Sequence, residues 1–298
     1  MAAHFSRRAL TGAMAGLFLG GCAARGPRQA SAHPTPPPYL RSRGLGDEPN
    51  LDPASGDLPA PAAFSYTDSD DETSDCIFYA ADGAPVGLVV YLDGDGQFFH
   101  SQGGQSQDER SPGGLAGVGG VVEAAGVRGF DVVSVRSPGD DGMWWLENQD
   151  GKVRYLEETL DYVAAECGAN MDQLWLVGYS GGSEFISRRF FPAYAERMPG
   201  GGFINFGGGD APEERAAAFS GDAKERLSLN WVTGTRDVPS NSLDGFDGIG
   251  HARNSLAYYR SAGFGHTWSE WPDDDHGSIT EKFGRYVGYV LDATKVGG

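Results

Sequence analysis

The apolar run Leu174-Trp175-Leu176-Val177 ends abruptly in Gly178-Tyr179-Ser180-Gly181-Gly182. A buried strand must here give way at once to a tight turn. Small neighbours on both sides let the serine adopt strained backbone geometry. Its hydroxyl then stands clear of the chain at the carboxyl end of a strand, where a base can reach it. The string alone is a weak signal. The chain holds 46 glycines in 298 residues, and Gly-x-Ser-x-Gly arises by chance roughly half a time in such a composition. A glycine-rich turn without chemistry is the alternative, so context must decide. A strand precedes the serine. Ser183 to Phe191 then places apolar residues at helical spacing, and Pro192 is expected to interrupt that helix.

The same alternation recurs along the chain. Short apolar runs bounded by Gly, Asp or Pro predict strands at Ile77–Ala80, Val86–Leu92, Val132–Val135, Gln173–Val177, Gly202–Phe206, Leu229–Thr233 and Thr267–Trp271. Between them, helical patterns run over Gly114–Ala125, Leu156–Cys167, Ser183–Phe191, Glu213–Phe219, His251–Ala262 and Thr280–Leu291. Strands alternating with helices predict an α/β fold. Its central sheet is mostly parallel, with helices on both faces. In such sheets functional groups gather at the carboxyl ends of the strands.

The N-terminal segment reads as targeting rather than fold. Arg7-Arg8, the apolar stretch Ala9 to Leu19 and the small residues before Cys22 make residues 1–21 a signal peptide. Leu19-Gly20-Gly21-Cys22 resembles a bacterial lipobox, which implies a lipid on Cys22. Simple secretion with cleavage nearby is the alternative. Ser6 to Leu10 also resembles a twin-arginine export signal, an ordinary basic segment being the alternative. Residues 22–63 read as a tether, because nine of the 17 prolines lie between Pro27 and Pro61. Few apolar side chains there offset the ordering entropy. The remaining residues, 64–298, suffice for one large α/β domain. The expected place is the bacterial cell envelope, with the domain outside the cytoplasmic membrane, held by lipid or secreted.

The formal charge is −18. Loss of residues 1–21, which carry two arginines and no acid, makes it about −20. That argues against nucleic acid as a partner and against binding anionic lipid by surface charge. The acidic run Asp68 to Asp75 lacks the glycine and spacing of a calcium loop and reads as a solvated loop. With Cys22 lipidated, Cys76 and Cys167 remain as an even pair. A disulfide between them is allowed outside the cytoplasm, and two free thiols are the alternative.

Serine needs a base, and the base needs an orienting acid. Ser180, Asp237 and His276 each follow a predicted strand, so all three project from one edge of the sheet. The other histidines fit less well. His4 and His33 lie in the signal and tether, His251 opens a predicted helix, and His266 precedes the last strand on the opposite edge. His100 could approach the pocket but reads better as a structural or substrate-side residue. Asp273, Asp274 and Asp275 compete with Asp237. As immediate neighbours of His276 they are poorly placed to meet its imidazole from the side away from the serine.

The elbow at Gly178–Gly182, the Asp237 turn and Asp275-His276-Gly277 before a final helix follow the chain order serine, acid, histidine. Together they resemble the α/β-hydrolase superfamily over nearly all of residues 64–298. The nearest likeness is to its secreted esterase branch, which includes feruloyl esterases and polyester depolymerases. The resemblance implies a Ser180–His276–Asp237 triad acting on a small or polymeric ester through an acyl-enzyme, and no metal or organic cofactor. It implies an oxyanion hole from the Gly181 N–H and a second N–H in Asp93-Gly94-Asp95-Gly96, from Gly94 or Asp95. Many lipases have a His-Gly-Gly stretch there, which this chain lacks. Tyr179, Trp144 and Trp145 are expected to line the substrate pocket, with packed loop anchors as the alternative. An envelope acyltransferase or a peptidase would use the same triad. A non-catalytic envelope binding lipoprotein on this scaffold is the reading from a different class.

Overall fold

A computed structural model describes residues 60–103, 110–139, 141–212, 219–242 and 244–294. The expected signal peptide, Cys22 and nearly all of the tether lie outside the described residues. So does most of the helix expected at Glu213–Phe219.

The chain begins with two strands, β1 (Ala62–Thr67) and β2 (Thr73–Tyr79), followed by β3 (Gly87–Leu92) and the short helix α1 (Phe98–Gln102). Next come α2 (Val121–Gly126), β4 (Phe130–Val135), α3 (Gln149–Glu166) and β5 (Leu174–Tyr179). A helical stretch follows as α4 (Gly181–Phe185), a π-turn at Ile186–Phe190 and α5 (Phe191–Tyr194). The chain continues through β6 (Gly201–Phe206), α6 (Gly221–Arg226), β7 (Ser228–Val232), α7 (Gly248–Ser261) and β8 (His266–Glu270). A 3-10 turn at Ser278–Lys282 leads into α8 (Phe283–Thr294).

Every residue of β3, β4, β6 and β7 is buried, which requires cover on both faces of the sheet. Successive side chains supply it by alternating. Leu88, Val90 and Leu92 join one core with Tyr155, Leu156 and Leu160 of α3. Val89 and Tyr91 point the other way, into a core with Val121 and Val122 of α2 and Phe283, Val287 and Leu291 of α8. The latter three recur every four residues, which puts them on one stripe of α8.

The sheet order is β1-β2-β4-β3-β5-β6-β7-β8. From β4 onward in that order all pairings are parallel, while β1–β2 and β2–β4 are antiparallel. The direction of winding reverses at β3, which lies between β4 and β5. The carboxyl ends of β3 and β5 therefore adjoin, with Leu92 beside Gly178. A crevice at such a switch point is where this class of sheet places ligands.

The elements differ from the sequence reading in four places. The segment read partly as tether supplies β1, whose alternating, largely exposed pattern does not resemble a buried run. The run read as a loop from Asp68 to Asp75 is a hairpin turn followed by half of β2. Asp68 Oδ1 accepts from the backbone N–H groups of Asp70 and Glu72, both at 2.9 Å. The residues from Gly114 to Gly120 form turns rather than the first half of a helix. Pro192 does not interrupt the helix after Ser180. It occupies the first turn of α5, where a proline N–H is not required, and the π-turn before it carries the change in register.

Candidate active site

The chain must turn sharply between β5 and α4, and it does so at Ser180, with φ 49° and ψ −117°. A non-glycine residue there is strained and persists only when the surroundings over-determine it. They do. The Ser180 N–H donates to Phe206 O at 3.0 Å, and its carbonyl accepts from Glu184 N at 3.0 Å. Gly182 passes so close to β3 that a Cβ would stand 2.2 Å from Leu92 O, and one on Gly178 would meet Ser183 N at 2.7 Å. Both positions therefore need glycine, which explains the small residues around the serine.

His276 Nε2 lies 2.9 Å from Ser180 Oγ, and His276 Nδ1 lies 2.8 Å from Asp237 Oδ2. Three strands thus bring their following loops to one point. Asp237 is only 2% exposed. Its loop is stitched to the histidine loop along the backbone: Thr235 N donates to Pro272 O at 2.8 Å and Arg236 N to Asp274 O at 2.9 Å. The rival acids are engaged elsewhere. Asp273 pairs with Arg236 Nε at 3.1 Å, and Asp274 accepts from Ser278 Oγ at 3.1 Å and pairs with Lys282. Asp275 accepts from Ser278 N at 2.9 Å, a bond that holds its carboxyl below the usual range.

The structure relocates two residues expected in the pocket. Tyr179 supports the histidine. Its hydroxyl donates to His276 O at 3.0 Å, and its ring stacks on the imidazole at 5.1 Å. Trp144 has no exposed surface and stacks on Phe185 at 5.0 Å, so it is core. Trp145, its neighbour, remains partly exposed and reaches Asp95, with Nε1 donating to Oδ1 and Oδ2 at 3.0 and 3.1 Å.

The loop after β3 abuts the serine: a Cβ on Gly94 would lie 3.2 Å from Ser180 Cβ. The Gly94 N–H is already given to Asp93 Oδ1 at 2.8 Å. Of the two donors expected there, Asp95 N–H is the one without an acceptor among the described residues. Asp93 is buried beneath the loop and also accepts from the Tyr91 hydroxyl and from His100 N, at 3.0 and 2.9 Å. Desolvation pushes its carboxyl up to about 6, against these hydrogen bonds. His100 faces away from the serine, with Nδ1 2.8 Å from Ser134 Oγ. Burial brings it down to about 4, with Arg136 adding to the effect. Cys76 and Cys167 are both free thiols, so the disulfide alternative is not realised. Burial pushes the Cys76 thiol up to about 12.

Sequence reasoning missed a buried support behind the histidine. Glu184, 1% exposed, accepts from Gly209 N at 2.8 Å and Asp210 N at 3.1 Å, and pairs with His251 Nδ1 at 2.9 Å. The bond to Glu184 raises the His251 pKa. Phe246 lies edge-on to both imidazoles, 5.1 Å from His251 and 5.4 Å from His276. A single acid in the apolar helix after Ser180 was the only available signal. Among the described residues no group of three or more His, Cys, Asp and Glu side chains is arranged to hold a metal ion.

No family model matches the chain, and no curated protein matches it by sequence. Solved structures do match by fold. The Francisella virulence factor BioJ gives a TM-score of 0.53 at 10% identity, over 80% of this chain and 86% of that one. The esterase Est22 gives 0.51 at 12% identity, over 80% of each chain. LpqC, a poly(3-hydroxybutyrate) depolymerase from Bordetella parapertussis, gives 0.50 at 15% identity, over 77% of this chain and 88% of that one. The chain spans 41% of the length of a matching acylaminoacyl peptidase from Pyrococcus horikoshii. The fold is that of the α/β-hydrolases.

Proposed function

We propose that the chain is a serine hydrolase of carboxylic esters. One observation carries the reading: a single imidazole bridges Ser180 Oγ at 2.9 Å and the buried Asp237 carboxylate at 2.8 Å. Asp237 fixes the tautomer in which Nδ1 carries hydrogen, leaving the Nε2 lone pair facing the serine. Ser180 attacks the ester carbonyl while Nε2 takes its proton. The oxyanion accepts from the Gly181 and Asp95 N–H groups. Nε2 then protonates the leaving alcohol, and water, activated by the same nitrogen, releases the acid. The neighbours named esterase and poly(3-hydroxybutyrate) depolymerase support ester chemistry over other acyl transfers.

The test is Ser180→Ala on the purified domain. Wild type is expected to hydrolyse a p-nitrophenyl ester and to be labelled by a fluorophosphonate, and the variant to do neither. Undiminished labelling of the variant would remove Ser180 from the mechanism. Faster acyl-enzyme turnover with an added alcohol than with water would replace hydrolase by acyltransferase.

The location is proposed with it. Arg7-Arg8, the short apolar stretch and Leu19-Gly20-Gly21-Cys22 support export and a lipid on Cys22, with the proline-rich segment as spacer. Deleting residues 1–40 should leave a soluble, active enzyme. Cys22→Ala should release the protein from membranes or block its processing. Unchanged processing and membrane fractionation of that variant would rule the anchor out.

A further inference from the structure

One charged group beside the serine has no role in the mechanism above, namely the Asp95 side chain. Its Oδ1 lies 2.2 Å from where a Cβ on Gly181 would stand, so the carboxylate rests on the residue that follows the nucleophile. Trp145 Cδ1 is 2.7 Å from the same point, so the indole edge and the carboxylate cover Gly181 together. Asp95 itself is exposed and therefore open to a ligand. Its one side-chain partner among the described residues is the Trp145 N–H, a neutral donor. No lysine or arginine among the described residues pairs with it.

This arrangement conflicts with the chemistry proposed for the site. Negative charge develops on the oxygen held by the Gly181 N–H, and a carboxylate at that same residue opposes it. His276 acts favourably on Asp95, but only while protonated. Asp141 and Asp244 add further negative potential. Partial desolvation, the largest influence on Asp95, raises its pKa.

We propose that Asp95 and Trp145 select substrates carrying a positively charged nitrogen close to the scissile carbonyl. The carboxylate would neutralise the cation, and the cation would shield the oxyanion from the carboxylate. Trp145, itself partly exposed, holds the carboxylate at that place through its N–H. A chain with a net charge of −18 also draws cationic solutes toward its surface. The inference rests on the serine-hydrolase reading but does not depend on which cationic ester is natural.

The test uses two fluorophosphonates of equal size, one with a trimethylammonioethyl tail and one with a 3,3-dimethylbutyl tail. Phosphonylation uses the activated serine and the same oxyanion donors, which are common to both probes, so the ratio of the two inactivation rates reads the charge. Wild type should react with the cationic probe about tenfold faster, a difference of about 1.4 kcal/mol. Asp95→Asn, which keeps the size and an acceptor for Trp145, should bring the ratio to about one, slowing the cationic probe and speeding the neutral one. Trp145→Ala should lower the ratio part-way. Equal rates in wild type would overturn the cation selectivity while leaving the serine mechanism standing. A ratio that survives Asp95→Asn would overturn the assignment to Asp95. Reaction with neither probe would overturn both readings. Alanine methyl ester against methyl isobutyrate repeats the comparison with the charge on the acyl side, and the same loss of preference is expected in Asp95→Asn.

Discussion

The loops on the two sides of Ser180 form two walls that are built differently. On the histidine wall, Asp237 is buried, two loops are joined through their backbones, and the imidazole is held by a carboxylate, an aromatic stack and a hydrogen bond to its own carbonyl. On the opposite wall, Asp95 is exposed and Trp145 partly so, and they meet through an indole N–H shared between both carboxylate oxygens. That loop is held from beneath, by Asp93. The first wall spends its interactions on geometry, because proton transfer fails when the base is misplaced. The second leaves polar and aromatic atoms open to solvent, where a substrate can meet them.

The largest expected effect tests the histidine wall. Asp237→Asn keeps the shape but favours the wrong tautomer, and kcat for a p-nitrophenyl ester should fall about 10⁴-fold with little change in KM. A loss of less than about tenfold in steady-state kinetics would mean that the buried pair serves stability rather than catalysis.

The next prediction concerns the support beneath the other wall. The Asp93 pKa is raised from 3.8 to about 6, so its contribution to stability is complete below 3.8 and is lost as pH rises through 6. The loss is on the order of 3 kcal/mol. His100 is lowered from 6.5 to about 4, so its contribution has the opposite sign: present above 6.5 and lost as pH falls through 4. The two partly cancel in wild type. The difference between wild type and Asp93→Asn isolates the aspartate. Chemical denaturation at pH 4 and pH 7 should show that difference shifting toward the variant at the higher pH. A pH-independent difference would mean that Asp93 titrates normally.

A smaller effect sharpens the comparison. Tyr179→Phe keeps the stack on His276 and removes only the bond to its carbonyl, which should cost about 1 kcal/mol, or roughly fivefold in kcat. If KM changed and kcat did not, the tyrosine would belong with the substrate. The smallest effect lies outside both walls. With Cys76 and Cys167 free, a reducing agent should leave the melting temperature unchanged, whereas breaking a disulfide between them would cost about 2–5 kcal/mol.

Much of the architecture was legible because buried parallel strands leave a plain signature. Runs such as Leu174–Val177 and Leu88–Leu92 must be apolar on both faces, and they stand out between glycines and aspartates. β1 left no such mark. It is an antiparallel edge strand with four of its six residues exposed, and its sequence holds no long apolar run. Tyr179 and Trp144 show a second limit. Position in the chain placed both near the serine, but the side to which a ring points depends on neighbours contributed by α4 and the His276 loop.

The sequence by itself determined the alternation of strand and helix, the glycines that the elbow requires, and the order of serine, aspartate and histidine along the sheet edge. These are local matters of periodicity and backbone sterics, or follow from strand direction. Only the tertiary structure decided which N–H near Gly94 stays open, and that Asp95 and Trp145 close over Gly181. Each of those depends on distances between segments far apart in the chain, which packing sets and no local pattern encodes.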